Sequence, residues 1–122
     1  MGKRVLLIED EPNIATALGF LLARDGWEVR THADGADALE VIADARPDLL
    51  ILDMLLPNRS GLDILRALRA RTDTHSLPVL MLTARGAAAD RALAETSGAT
   101  EFMAKPFSNA QMLASVRAMV AP

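Results

Sequence analysis

Four short stretches of the chain carry side chains that could do chemistry together. Glu9-Asp10-Glu11 follows the apolar run Val5–Ile8. Asp53 follows Leu49–Leu52. Thr83 follows Val79–Leu82, and Lys105 follows the weaker run Glu101–Ala104. Singly, each has an ordinary explanation: Asp suits turns, acids suit helix starts, a Thr hydroxyl suits a strand end and a Lys suits a solvated loop. Glu9, Asp10 and Asp53 with Thr83 and Lys105 make three acids, a hydroxyl and an amine, each placed just after an apolar run. Clustered carboxylates raise one another's pKa unless a cation compensates. Mg²⁺ prefers one or two carboxylates, waters and substrate phosphate oxygens. Asp10 and Asp53 are the expected direct ligands, Glu9 acts through water, and a backbone carbonyl just after Asp53 completes the set. Thr83 and Lys105 would then hold and neutralise an incoming anion, which is what phosphoryl transfer needs. A carboxylate can be the nucleophile, giving an acyl phosphate, and Asp53 is the best placed.

These residues converge only if the elements before them form one sheet. The runs Val5–Ile8, Leu49–Leu52 and Val79–Leu82 are continuous rather than alternating, as in strands covered on both faces. Trp27–Thr31 is a weaker strand, expected at an edge. Helical patterns separate the runs. Ile14, Leu18, Leu21 and Leu22 form an apolar stripe after Pro12, with Asp25-Gly26 as the stop. A second helix is expected from Asp34 to Ala45, before Pro47. A third starts at the Ser60 cap, with Leu62, Leu65 and Leu68 on one face. A fourth runs from about Ala87 to Thr96, ahead of Gly98, and a fifth from Ser108 to about Met119. Five βα units in 122 residues are too few for a closed eight-stranded barrel. They predict an α/β doubly wound parallel sheet of five strands, in the common order 2-1-3-4-5. Ligands then bind outside the carboxyl ends of the strands, where the four stretches lie.

Composition narrows the function. The net charge is −3 and the pI about 5.3, which argues against direct binding to nucleic acid. There is no cysteine, and the two histidines, His32 and His75, have no clustered ligand partner in the sequence, so both are expected at the surface. Arg66, Arg69 and Arg71 are expected on a solvated helix face. The methionines are expected mainly in the core. Apolar runs are too short for a membrane span or a signal peptide, so the default is a cytoplasmic protein of one domain, residues 1–122, without an output domain.

In order and spacing, the chain resembles the receiver domain of two-component response regulators. The likeness rests on Val5 to Glu11, Pro47 to Pro57, Ser60-Gly61-Leu62, Pro78 to Ala84 and Gly98 to Phe107. It implies a flavodoxin-like, CheY-like fold. It also implies Asp53 as phosphoacceptor, Asp10 as Mg²⁺ ligand supported by Glu9, and the Leu55 carbonyl as the backbone ligand. Thr83 and Lys105 contact the phosphoryl oxygens. The Lys105–Pro106 peptide is expected to be cis, and Phe102 stands at the aromatic switch position, where its lack of a hydroxyl favours an inward state. Leu55 and Arg85 occupy positions that tune dephosphorylation. The implied partners are a sensor histidine kinase or a histidine phosphotransfer protein. The implied function is a phosphoacceptor switch that catalyses its own phosphorylation and dephosphorylation without being an enzyme otherwise. The fourth helix, fifth strand and fifth helix form its output face and could support a weak dimer, with Arg91, Glu101 and Arg117 fitting the charge pattern loosely.

Three other readings share parts of this pattern. A phosphatase with an aspartyl nucleophile needs a second acid where Leu55 stands. A flavin carrier needs a phosphate-cradling loop where Glu9-Asp10-Glu11 stands. A docking module that works without phosphorylation would keep the fold and not use the site.

Overall fold

A computed structural model describes residues 3–84 and 88–120. Ten elements alternate: β1 (Arg4–Ile8), α1 (Pro12–Arg24), β2 (Glu28–His32), α2 (Ala38–Ala45), β3 (Leu49–Asp53), α3 (Gly61–Arg69), β4 (Val79–Thr83), α4 (Ala88–Ser97), β5 (Glu101–Ala104) and α5 (Asn109–Met119). All five strands are parallel, in the order β2-β1-β3-β4-β5. This is the expected doubly wound sheet.

The continuous apolar runs serve both faces, because successive side chains in a strand point to opposite sides. Leu6, Ile8, Leu50, Leu52, Val79, Met81 and Phe102 pack with Ala38, Ile42, Ile64, Leu65, Leu68 and Ala94 of α2, α3 and α4. Val5, Leu7, Leu49, Ile51, Leu80 and Leu82 pack with Leu18, Leu22, Met112 and Val116 of α1 and α5. The sheet is therefore a buried middle layer, and the β3 and β4 residues are buried along their whole length.

Local chemistry sets the element ends. Pro12 opens α1, and Gly26 (φ 97°) lets the Trp27 N–H reach the Leu22 carbonyl at 3.0 Å. The Ser60 hydroxyl accepts from the Asp63 N–H at 3.2 Å. Ser108 and Gln111 form a reciprocal capping box on α5.

Several expectations need correction. β2 begins at Glu28 rather than Trp27, because Trp27 is used by the end of α1 and is buried in the core. α2 begins at Ala38 rather than Asp34, because Asp34 caps a turn through the Ala36 N–H (2.8 Å) and bonds to Asn58. His32 is partly buried, with Nε2 2.6 Å from the Asp37 carboxylate. Arg69 is also half-buried rather than solvated. Its Nε donates to the Gly98 carbonyl (2.8 Å) and its Nη1 to the Thr74 carbonyl (3.1 Å), tying α3 to the end of α4. The fourth helix is described from Ala88, so its expected start at Ala87, like Arg85, lies outside the described residues.

Candidate phosphoryl and metal site

The strand register brings the four chemical stretches together. Asp53 ends β3 beside Leu82, and Thr83 ends β4 beside Ala104. Glu9 follows β1, its N–H donating to the His32 carbonyl at 2.9 Å. The Lys105 N–H donates to the Thr83 carbonyl at 2.7 Å. Glu9, Asp53 and Thr83 are buried, at 2%, 3% and 2% exposure, where the other buried side chains among the described residues are apolar. Asp10 is exposed at the rim.

Charge organises the cluster. Glu9, Asp10 and Asp53 can each offer one carboxylate oxygen such that all three lie within 4.8 Å of one another. The Lys105 ammonium lies among them. It stands 3.0 Å from Asp53 Oδ2, 3.0 Å from Glu9 Oε1 and 3.4 Å from Glu11 Oε1. The Leu55 N–H donates to Asp53 Oδ1 at 3.1 Å, so both Asp53 oxygens are engaged. The Lys105–Pro106 peptide is cis. The Leu55 side chain itself is 57% exposed.

The protonation states follow from this packing. Burial, with Asp53 adding to it, pushes the Glu9 carboxyl up to about 7, against an ordinary 4.5, even though Lys105 pulls it down. Burial works against the Lys105 ammonium, but its bonds to Glu9 and Asp53 outweigh that and raise its pKa.

The donor set fits a hard divalent cation. It consists of carboxylate oxygens with a single ammonium set among them, so negative charge is in excess. Glu9 Oε2 is buried and has no hydrogen-bond partner, although Lys105 Nζ is 3.0 Å away. The Lys105 ammonium is thus the one positive charge described near that buried oxygen, and a cation, direct or through water, would add to its compensation.

Phe102 is 7% exposed, packed in the core layer under α4, and its ring lies 5.0 Å below the Arg91 guanidinium carbon. Arg91 is also 3.9 Å from Glu95, and Arg117 pairs with Asp25. Two of the three charges that could serve a dimer thus have partners within the chain.

Comparison with known proteins agrees with this architecture. A family model described as the response regulator receiver domain matches residues 5–117. The chain belongs to the response-regulator receiver domain family. It is 39% identical over 116 residues to the "Probable transcriptional regulatory protein TcrX" of Mycobacterium tuberculosis, covering 95% of this chain and 49% of that protein. It is 39% identical over 120 residues to the phosphate regulon transcriptional regulatory protein PhoB of Rhizobium meliloti, covering 98% and 53%. The receiver thus spans about half the length of these curated relatives. Among solved structures, the receiver domain of a sensor histidine kinase from Pseudomonas aeruginosa matches with a TM-score of 0.91, 29% identity and full coverage of both chains. That structure has a magnesium ion coordinated in its active-site cleft. Receivers of this family act in two-component signalling and bind Mg²⁺ at the acidic site. No helix among the described residues is long and apolar enough to cross a membrane.

Sequence reasoning named every residue of the acidic cluster and its counter-charge. It missed the Leu55 amide on Asp53, since a backbone donor leaves no mark in residue type. It also missed the contacts of Asp34 with the loop after β3.

Proposed function

We propose that this receiver is a phosphoacceptor switch in which Asp53 takes a phosphoryl group from a phosphohistidine. The observation that carries this reading is a buried carboxylate held from two sides, by the Leu55 amide and the Lys105 ammonium, beside two further acids. The donor is a sensor histidine kinase or a histidine phosphotransfer protein. An apolar groove of about 520 Å³, lined by Ile14, Ala17, Leu18, Pro106 and Phe107, borders Lys105 and supports a protein rather than a small metabolite as the natural donor.

An Asp53 carboxylate oxygen attacks phosphorus in line. The new O–P bond forms as the P–N bond breaks, and its electron pair stays on the imidazole nitrogen. Asp10 and Asp53, the Leu55 carbonyl and, through water, Glu9 would hold Mg²⁺, which when bound offsets the charge of the phosphoryl oxygens. Lys105 then exchanges its bond to Asp53 for one to a phosphoryl oxygen, and the Thr83 hydroxyl donates to another. Phosphorylation gives Asp53 a charge of about −2 in place of −1 and three acceptor oxygens. Thr83 moves toward them, Phe102 adjusts in the space behind it, and the face formed by α4, β5 and α5 changes shape. This is a population shift between two states. The same site hydrolyses the acyl phosphate to reset the switch, so the chain catalyses only its own modification. It works in the cytoplasm, where kinase phosphodonors are available.

Adding Mg²⁺ and beryllium fluoride, which mimics the phosphoryl group, tests the switch. In wild type, amide NMR shifts should spread from Asp53 to residues 88–119. In Thr83→Ala they should stop near the site. Full shifts in the variant would refute the coupling through Thr83. An absence of response in wild type would favour a docking module that does not use phosphorylation.

A further inference from the structure

The loop between β3 and α3 carries the Leu55 amide that fixes Asp53; Met54 and Leu56 turn into the core, and the residues around them face out. Leu55, Pro57 and Asn58 are exposed. Asn58 adopts φ 70°, a left-handed conformation that a non-glycine residue holds only against a cost. Met54 anchors its start through the Leu82 carbonyl (2.8 Å) and the Gly61 N–H (2.9 Å), and its outer part meets a second loop, between β2 and α2. The Asn58 Nδ2 donates to both carboxylate oxygens of Asp34, at 3.0 and 2.8 Å. The Gly35 N–H donates to the Pro57 carbonyl at 3.0 Å. The two backbones touch closely: a Cβ on Gly35 would lie 2.2 Å from the Arg59 carbonyl oxygen. Asp34 is itself braced by the Ala36 N–H at 2.8 Å. These bonds hold its carboxyl below the usual range, the Ala36 amide first and Asn58 second.

We propose that Asp34 is a positioning residue for the phosphoryl site: its bonds to Asn58, with Gly35 on Pro57, hold the 54–59 loop so that Leu55 meets Asp53. The inference rests on the function proposed above. Asp34 touches neither the acids nor Lys105 and acts only through the loop. Residues that orient ligands from behind a metal site change affinity by about 10–100-fold when removed.

The test compares Asp34→Ala, Asn58→Ala and the double variant with Asp44→Asn, which weakens an exposed pair between α2 and Arg30 of β2 (2.9 Å). Three quantities are measured on each: the Mg²⁺ dissociation constant by titration, Leu55 amide exchange in the metal-free protein, and the melting temperature. Asp34→Ala should weaken Mg²⁺ binding about 10-fold and speed Leu55 exchange, while Asp44→Asn does neither. The double variant should be no worse than either single one, because one contact is removed twice. Loss of melting temperature with unchanged Mg²⁺ affinity and unchanged Leu55 exchange would overturn the proposal and leave Asp34 merely structural. Failure of wild type to bind Mg²⁺ would instead defeat the reading of the site itself.

Discussion

Replacing Gly61 by alanine is expected to cost this small protein about 3 kcal/mol, a large share of its stability. Gly61 is the first residue of α3 and packs on the end of β3. A Cβ there would lie 2.1 Å from the Asp53 carbonyl oxygen and 2.9 Å from the Met54 Cα. Neither is a flexible side-chain tip. Both belong to the backbone that carries the phosphoacceptor, and the Gly61 N–H is bonded to the Met54 carbonyl at 2.9 Å. The helix must therefore retreat, or the end of β3 must yield. Gly19→Ala makes the control. It lies within α1, and a Cβ there meets only Val29 Cγ1 at 3.8 Å. That change should stabilise by about 0.5–1 kcal/mol through helix propensity. Urea midpoints for the two variants should move in opposite directions. Equal midpoints for Gly61→Ala and wild type would mean that the β3–α3 junction is loosely packed.

The second large effect is expected from Lys105→Met. The Lys105 side chain is only 10% exposed, and its ammonium bonds to both Glu9 and Asp53. Methionine keeps the length and apolar stem but removes the charge. Acceptance of a phosphoryl group should slow by about 10²–10³-fold, the range for losing one aimed electrostatic partner. Stability should change in a pH-dependent way. Glu9 in the folded wild type titrates at about 7 rather than 4.5, so between those values the folded chain holds a proton that the unfolded chain has released. Stability of the metal-free protein therefore falls as pH rises from 4.5 through 7. Without Lys105 the pull that lowers the Glu9 pKa is gone, so the fall should extend to higher pH. Mg²⁺ should restore more stability to the variant than to wild type. Melting curves at pH 5 and pH 8, with and without Mg²⁺, read both effects. A variant as stable as wild type at pH 8 in the absence of metal would show that Lys105 is not the counter-charge that the acids require.

The architecture was legible because its signals are local and repeated. Continuous runs such as Leu49–Leu52 and stripes such as Leu18 with Leu22 each announce an element, and the positions just past the strands announce a site. The parts that were not legible depend on pairings between loops. Asp34 and Asn58 are 24 positions apart, both of residue types common in turns, and no periodicity links them. Loop partners also decide His32 of β2, which meets Asp37, and Arg69 of α3, whose partners are carbonyls of Gly98 and Thr74. In the sequence, Asp34 is indistinguishable from a helix cap, which is why α2 was expected four residues early. Residue types show which groups can bond. The choice among partners is made only when two loops meet.

The central claim is that Asp53 accepts a phosphoryl group with Mg²⁺. Intact mass after incubation with acetyl phosphate, on wild type and Asp53→Asn, with and without Mg²⁺, tests it most directly. The account predicts a gain of about 80 Da, one phosphoryl group, in wild type with Mg²⁺ and in no other sample. A gain of the same size in Asp53→Asn would place the acceptor elsewhere and contradict the account. So would an unmodified wild type that also fails to bind beryllium fluoride.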